Sequence, residues 1–236
     1  MCLALPAVKR PEGTRVWDLP LRLCHWTLAL LVVVSFLSGW NGGNWMVWHG
    51  RAGIAIIGLV AFRLVWGLVG STHARFATFV RGPGAIIDYL KGKWCGAGHN
   101  PLGALSVLGM IGLLAFQTAT GLFGNDDISF NGPLYVLVSK ETSDWIAGWH
   151  RQSGWLLLAL VVLHLGAIGF YRFVRRDDLI TPMLTGRKTF CVECPAQHAE
   201  GGGFRAFVLA AAIGVFVAWA ASGGLLPPPP PPAASP

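Results

Sequence analysis

The chain has 236 residues, of which 53% are hydrophobic and only 12% are charged. Soluble domains carry about 25% charged residues, so this composition excludes an ordinary soluble fold and indicates a helical protein that crosses the membrane several times. The net charge of +7 does not indicate nucleic-acid binding, because the basic residues lie in loops between apolar segments.

Five apolar segments follow a charged N-terminal segment, residues 1–21, which has no signal peptide. Each is close to the roughly 20 residues that cross about 30 Å of hydrocarbon. The segments are predicted at about residues 23–40, 49–69, 102–123, 145–171 and 206–226. The first four are predicted to form one bundle over residues 22–172. A cytoplasmic loop (173–205), the fifth helix (206–226) and an extended proline-rich tail (227–236) complete the predicted organisation.

The basic residues predict the orientation of the chain. Of the 18 lysines and arginines, fourteen lie on the side of the N-terminus, and Arg51, Lys140 and Arg151 lie on the other side. Because cytoplasmic loops are enriched in Lys and Arg, the N-terminus is predicted to be cytoplasmic.

Four of the seven histidines fall in predicted membrane helices, namely His25, His49, His150 and His164. The other three, His73, His99 and His198, fall in predicted cytoplasmic loops and are expected to be solvated.

The spacing of the membrane histidines predicts two pairs. His150 and His164 are fourteen residues apart, which places them on one helix face, roughly 21 Å apart along the axis. Because successive helices run in opposite directions, His164 comes level with His25 and His150 comes level with His49. One pair is therefore expected near each membrane surface.

Paired imidazoles favour haem over the other ligands of histidine. An ionisable side chain inside the membrane is costly and marks a functional site by default. Two histidines on opposite sides of a macrocycle complete a six-coordinate haem iron. Zinc would require four ligands, and no Cys or carboxylate is clearly within reach of either pair. A proton relay would not need the pairing. No CxxCH motif is present, so two non-covalent b-type haems are predicted.

Four stretches resemble the bacterial dihaem cytochrome b561 family, whose superfamily includes the b-type cytochrome subunit of nickel–iron hydrogenases. They are "RVWDLPLRLCHWTLALLVVVSFLSGW", "HGRAGIAIIGLVAFRLVWGLVGSTHARFATFVRGPGAIIDYLKG", "HNPLGALSVLGMIGLLAFQTATGLF" and "LITPMLTGRK". The resemblance covers about residues 15–190 and includes loop motifs as well as apolar runs.

The resemblance implies a fold, a location and a set of ligands. The fold is an all-α integral membrane protein, with a four-helix transmembrane haem-binding bundle plus one extra C-terminal helix, in the bacterial inner membrane. His25 and His164 are implied as ligands of the cytoplasmic-side haem, and His49 and His150 as ligands of the outer haem. These pairs agree with the pairs predicted from spacing.

Three arginines are candidates for binding the cofactors. Arg63 lies fourteen residues after His49, so it shares that helix face and reaches the inner layer. It is predicted to pair with a propionate of the inner haem, with extension to the cytoplasmic interface as the alternative. Arg51 and Arg151 lie next to the outer ligands and either serve the outer haem or mark the membrane surface.

Several weaker signals accompany the histidines. Five glycines are candidates for close approach of a macrocycle or a neighbouring helix: Gly39, Gly53, Gly121, Gly154 and Gly166. Gln117 and Thr118 are expected to hydrogen-bond within the bundle. The CxxC motif at Cys191 and Cys194 is interpreted as reduced cytosolic thiols, with a dithiol or metal site as alternatives. The fifth helix is interpreted as an extra anchor or a docking surface.

These observations predict a membrane electron-transfer cytochrome in contact with lipid. It would carry electrons across the bilayer between quinone or quinol and a redox partner protein, such as a c-type cytochrome or a hydrogenase-like subunit. The resemblance, rather than any residue, implies the quinone, for which Asn44, Trp48 and Arg51 are candidate neighbours. The alternatives are a stand-alone superoxide/quinone oxidoreductase and a haem-free, histidine-lined transporter.

Overall fold

The structure is a computed structural model, which describes residues 13–93, 98–189 and 198–227. Most of residues 1–21, the CxxC cysteines and most of the proline tail lie outside these residues. In chain order the helices are α1 (Leu19–Asn41), α2 (Met46–Val69), α3 (Phe76–Phe79), α4 (Pro83–Leu90), α5 (Pro101–Gly121), α6 (Lys140–Phe173), α7 (Ile180–Thr185) and α8 (Phe204–Trp219). A π-helical turn, Ala220–Gly224, extends α8.

Five of these helices are long and apolar enough to cross a membrane. They are α1, α2, α5, α6 and α8 with its π-helical extension, in agreement with the five predicted segments. The largest difference is in α6, which begins at Lys140 rather than near residue 145. Its polar first turn is stabilised by Ser139, whose side chain accepts a hydrogen bond from the Thr142 amide.

Helix α2 lies at the centre of the bundle. It packs against α1, α5 and α8, while α6 packs mainly against α5. The contact with α8 depends on two glycines, because a Cβ on Gly58 would lie 2.9 Å from the Gly214 carbonyl oxygen. Small residues at such a crossing let two backbones approach closely in a membrane. The fifth spanning helix is therefore packed into the bundle through α2.

The end of the bundle at which α1 begins, predicted to be the cytoplasmic end, is closed by residues that are distant in sequence. Two short strands, β1 (Thr14–Arg15) and β2 (Arg187–Lys188), pair antiparallel and join the start of the chain to the segment after α7. Asp18 caps α1 by accepting from the Leu21 amide at 2.7 Å. Its buried carboxylate also accepts hydrogen bonds from Trp66 Nε1 at 3.0 Å and from the Ser71 hydroxyl. This network ties the ends of α1 and α2 together.

The outer loop between α5 and α6 is held against both helices. Asn125 donates to the Ser143 hydroxyl at 2.7 Å, and Ser143 donates to the Phe123 carbonyl at 2.7 Å. The Phe130 ring packs on Gly50, where a Cβ would lie 3.0 Å from two ring atoms. Because Gly50 follows His49, the loop lies over the outer end of the bundle.

Candidate haem-binding site

The outer histidine pair joins α2 to α6. The ring centres of His49 and His150 are 5.8 Å apart, with an angle of 83° between the ring planes. His49 Nδ1 lies 2.9 Å from the Ser35 carbonyl oxygen, and His150 Nδ1 lies 2.9 Å from the Gln117 carbonyl oxygen. A metal-bound histidine usually donates its other ring N–H to a carbonyl in this way. These contacts fix the ring orientations through Nδ1, so Nε2 is the nitrogen by which either ring would bind a metal.

Two glycines give the outer imidazoles the space that they occupy. A Cβ on Gly39 would lie 3.0 Å from His49 Nδ1, and a Cβ on Gly121 would lie 2.9 Å from His150 Cε1. Gly154 faces the Gln117 amide, whereas a Cβ on Gly53 or Gly166 would meet nothing within 4 Å. Of the five glycines named from the sequence, Gly39 and Gly121 are therefore the ones that contact a histidine.

Gln117 connects the outer pair to the bundle. Its carbonyl contacts His150 Nδ1, its side-chain nitrogen lies 3.3 Å from His150 Nε2, and its side-chain oxygen accepts a hydrogen bond from Ser153. Thr118, the next residue, donates to the Leu114 carbonyl at 2.8 Å. Both residues hydrogen-bond within the bundle, as predicted.

The inner histidine pair joins α1 to α6. The ring centres of His25 and His164 are 6.5 Å apart, with 53° between the ring planes. His25 Nδ1 is buried, and no described residue offers it a hydrogen bond. Lone buried polar atoms are uncommon in proteins, so this nitrogen needs a partner that is not part of the described chain.

An apolar layer separates the two pairs. Ile56 lies seven residues after His49, and Leu157 lies midway between His150 and His164. Both are buried and belong to one cluster with Val60 and Leu114. Seven residues are close to two helical turns, so Ile56 and Leu157 share the face of the histidines, about 10 Å from each pair. The two sites are therefore separate and have dry packing between them.

The residues fit haem better than a bare metal ion. In the described parts of the chain, no three or more His, Cys, Asp or Glu side chains converge to hold a metal ion. Two imidazoles on opposite sides of one metal, each bound at about 2 Å, have ring centres roughly 6 Å apart. Both pairs match this spacing, so each fits the two histidine ligands that a haem iron takes from a protein.

Arg63 lies at the inner end of α2 without a counter-ion contact. The residue is 5% exposed, and its Nη1 and Nη2 atoms are buried without a hydrogen-bond partner among the described residues. The guanidinium Cζ lies 4.9 Å from the centre of the Phe76 ring. The side chain thus reaches the segment after α2 and is buried there rather than exposed to solvent. A buried guanidinium of this kind requires an anion, as the propionate prediction assumes.

Arg51 and Arg151 lie at the outer surface. Both side chains are exposed, and the Arg51 guanidinium stacks over the Trp48 ring at 5.3 Å from its centre. Asn44 and Trp48 are exposed as well, so the residues suggested for quinone form an open surface near His49.

Two loop histidines are not solvated, which corrects the prediction. His73 is only 9% exposed, and His99 lies between the rings of Trp17 and Phe79, with centres at 4.6 Å and 4.7 Å. His198 is exposed, as expected. The sequence predicts solvated side chains in these short loops, but the folded segments bury His73 and leave His99 only partly exposed. This burial depends on contacts with residues that are distant in sequence, such as Trp17 with His99, which a local pattern does not reveal.

Five spanning helices and two histidine pairs at different depths define a polytopic membrane protein with an intramembrane site in each half of the bilayer. Comparison with known proteins gives the family. The prokaryotic cytochrome b561 family matches residues 16–186, well over half of the chain. The chain therefore belongs to the prokaryotic cytochrome b561 family, which implies haem b and electron transfer.

The curated relatives share one description. A protein of Azotobacter vinelandii is 27% identical over 78% of this chain and 91% of its own length. Relatives from Bradyrhizobium diazoefficiens (24% identity; 78% of this chain, 89% of its own) and Escherichia coli (22%; 74% and 90%) are similar in extent. The first two are described as probable Ni/Fe-hydrogenase B-type cytochrome subunits, and the third as the corresponding subunit of hydrogenase 1. No solved structure gives a significant match.

Proposed function

We propose that the protein is a dihaem b-type cytochrome that transfers electrons across the bacterial inner membrane, between the quinone pool and a redox partner protein. The observation that carries this proposal is the pair of histidine contacts at two depths, with ring centres 5.8 Å and 6.5 Å apart. Haem b, when bound, supplies one-electron redox chemistry at its iron.

The chain itself would hold, orient and insulate the cofactors. His49 and His150 would hold the haem near the outer surface, with the Ser35 and Gln117 carbonyls fixing their rings. His25 and His164 would be the ligands near the cytoplasm. Arg63 would neutralise an acidic group of the inner cofactor. The apolar layer between the pairs would exclude water from the space between the two sites.

We further propose that the redox partner is a hydrogenase-like subunit. The relatives' descriptions support this choice over a c-type cytochrome, because they name a nickel–iron hydrogenase. The exposed surface at the outer ends of α2 and α6, which carries Arg51 and Arg151, would face a partner at the outer surface. Copurification of a hydrogenase small subunit with the tagged full chain, and none of a c-type cytochrome, is the expected result.

The ligand pairs are tested by single replacements of the four histidines. His25→Ala and His164→Ala should each remove the same haem, and His49→Ala and His150→Ala should each remove the other. Reduced-minus-oxidised spectra and a haem count on the purified chain would measure this, with His198→Ala as the matched histidine control.

Three results would contradict the proposal. Loss of the same haem in His25→Ala and His150→Ala would show that the pairing is wrong. A wild-type chain that is purified without haem, from cells that load other b-type cytochromes, would favour the histidine-lined transporter instead. Turnover of superoxide with quinone by the isolated chain would favour the stand-alone oxidoreductase.

A further inference from the structure

His99 and Arg63 form a buried group of hydrogen-bond donors at the cytoplasmic end. His99 immediately precedes the N-cap of α5, and its Nδ1 is buried without a partner among the described residues. Arg63 on α2 has two guanidinium nitrogens, Nη1 and Nη2, that are also buried without a hydrogen-bond partner among the described residues. Buried polar groups that stay unpaired are costly, and charged ones more so, so both residues need hydrogen-bond partners.

A continuous set of aromatic rings links the two side chains. Arg63 Cζ lies 4.9 Å from the Phe76 ring centre, the Phe76 and Phe79 rings are 5.7 Å apart, and Phe79 lies 4.7 Å from His99. Gly67 leaves the space for Phe76, since a Cβ there would lie 2.0 Å from the ring. The aromatic surface therefore fixes both groups and shields them from water.

His25 of the inner histidine pair is near enough to His99 to act on its charge. Burial, and after it the nearby Arg63, His73 and His25, lower the pKa of His99. A neutral imidazole still donates one hydrogen bond, so His99 is suited to an acceptor in this environment. A positive charge on His99 is disfavoured beside Arg63. The pair therefore presents one positive charge, on Arg63, together with N–H groups from both side chains.

Asp18, the acid whose charge acts on Arg63, is already engaged in hydrogen bonds. Asp18 accepts hydrogen bonds from the Leu21 amide, from Trp66 Nε1 and from the Ser71 hydroxyl. Neither Arg63 nor His99 has a hydrogen bond to it among the described residues. Among the described residues neither side chain has an acceptor, and a bound carboxylate would match the fork of an arginine best.

We infer that His99 and Arg63 together form the pocket that binds the propionate carboxylates of the inner haem. This inference rests on the proposed function, and it adds His99, a residue outside the spanning helices, to the inner site. Arg63 would donate from both Nη atoms and His99 from Nδ1. The segment before α5 thereby takes part in binding the inner cofactor, although it supplies no ligand to the iron.

The direct test uses infrared spectroscopy of the full chain loaded with haem that is ¹³C-labelled at its propionate carboxylates. The labelled bands in the reduced-minus-oxidised difference spectrum should shift in His99→Ala and in Arg63→Gln. They should stay unchanged in His198→Ala, the matched control, because this exposed histidine lies on the same side of the membrane.

A redox titration provides a second readout. Removal of either donor leaves the carboxylate charge less neutralised, so the inner haem should titrate at a lower potential, and the shift should be larger for Arg63→Gln. The outer haem should keep its potential, which also shows that the variant is folded. His99→Gln should restore most of the shift, since an amide still donates a hydrogen bond.

The possible results separate this inference from the proposed function. Unchanged labelled bands and inner potential in His99→Ala, with both haems bound, would overturn the inference alone. A change confined to the Michaelis constant for quinone would also overturn it and would assign His99 to a quinone site. A wild-type chain without bis-histidine haem would overturn both.

Discussion

Gly121 sets how closely α5 approaches the outer imidazole of α6. A Cβ at this position would lie 2.9 Å from His150 Cε1, and the ring has little freedom to move because its Nδ1 is held by the Gln117 carbonyl. We expect Gly121→Ala to tilt His150 and weaken the outer site. The electron paramagnetic resonance signal of the outer haem should shift or decrease, while the inner signal stays unchanged.

The control for this substitution is on the same helix. Gly112 also lies in α5, but a Cβ there would meet nothing within 4 Å. Gly112→Ala should leave both signals intact. Equal changes in the two variants would mean that the effect comes from helix propensity rather than from contact with the imidazole.

Individual residues also show what sequence reasoning can reach. The four membrane histidines come together as expected, because their positions follow from helix geometry and alternating chain direction, which are local rules. His73 and His99 were misjudged, because their burial depends on contacts between residues far apart in sequence, such as Trp17 with His99. The sequence also does not predict that the backbone carbonyls of Ser35 and Gln117 contact the histidine rings. Every residue has such a carbonyl, so residue type gives no indication of this role.

At the scale of helices, the α2–α8 crossing is the tightest contact of the fifth span. A Cβ on Gly214 would lie 2.8 Å from the Gly58 carbonyl oxygen and 3.2 Å from the Phe62 Cβ. Gly214→Leu should therefore separate the helices, with a loss of about 1–3 kcal/mol that is typical of overpacking. The midpoint of thermal unfolding in detergent should fall. Val215→Leu, at an exposed neighbouring position, should leave it nearly unchanged.

If Gly214→Leu has no effect on the midpoint, α8 is an independent anchor rather than part of the bundle. The sequence left this choice open, because the small residues of α8 suit a helix contact without naming the partner helix. The packing on α2 resolves it in favour of a contact within the chain. A partner protein would then contact the face of α8 that points away from α2.

A fourteen-residue interval recurs in three helices. His150 and His164 lie on α6, His49 and Arg63 on α2, and His25 and Gly39 on α1. In each helix one residue faces the outer layer and the other the inner layer. The interval was visible in the sequence for α6 and α2. In α1 the interval has a structural role because Gly39 lies against the His49 ring.

At the scale of the whole molecule, the sequence predicts the orientation of the chain in the membrane. The fold gives exposed positions at both ends of the bundle where this orientation can be tested. In a variant whose five cysteines are replaced, a single cysteine at Ile128, which is 86% exposed in the outer loop, should react with a membrane-impermeant maleimide in intact spheroplasts. A single cysteine at Asp88 on α4 should react only after permeabilisation. The reverse pattern would place the N-terminus outside.

The order of the helices also constrains biogenesis. Each histidine pair takes one ring from α6, so neither pair is complete until about 150 residues have been synthesised. The contacts of Asp18 with Trp66 and Ser71, in contrast, need only α1, α2 and the turn after them. This network is thus able to form while the ribosome is still making the third span. Both histidine pairs wait for the fourth, so we expect a chain truncated before α6 to insert in the membrane without binding haem.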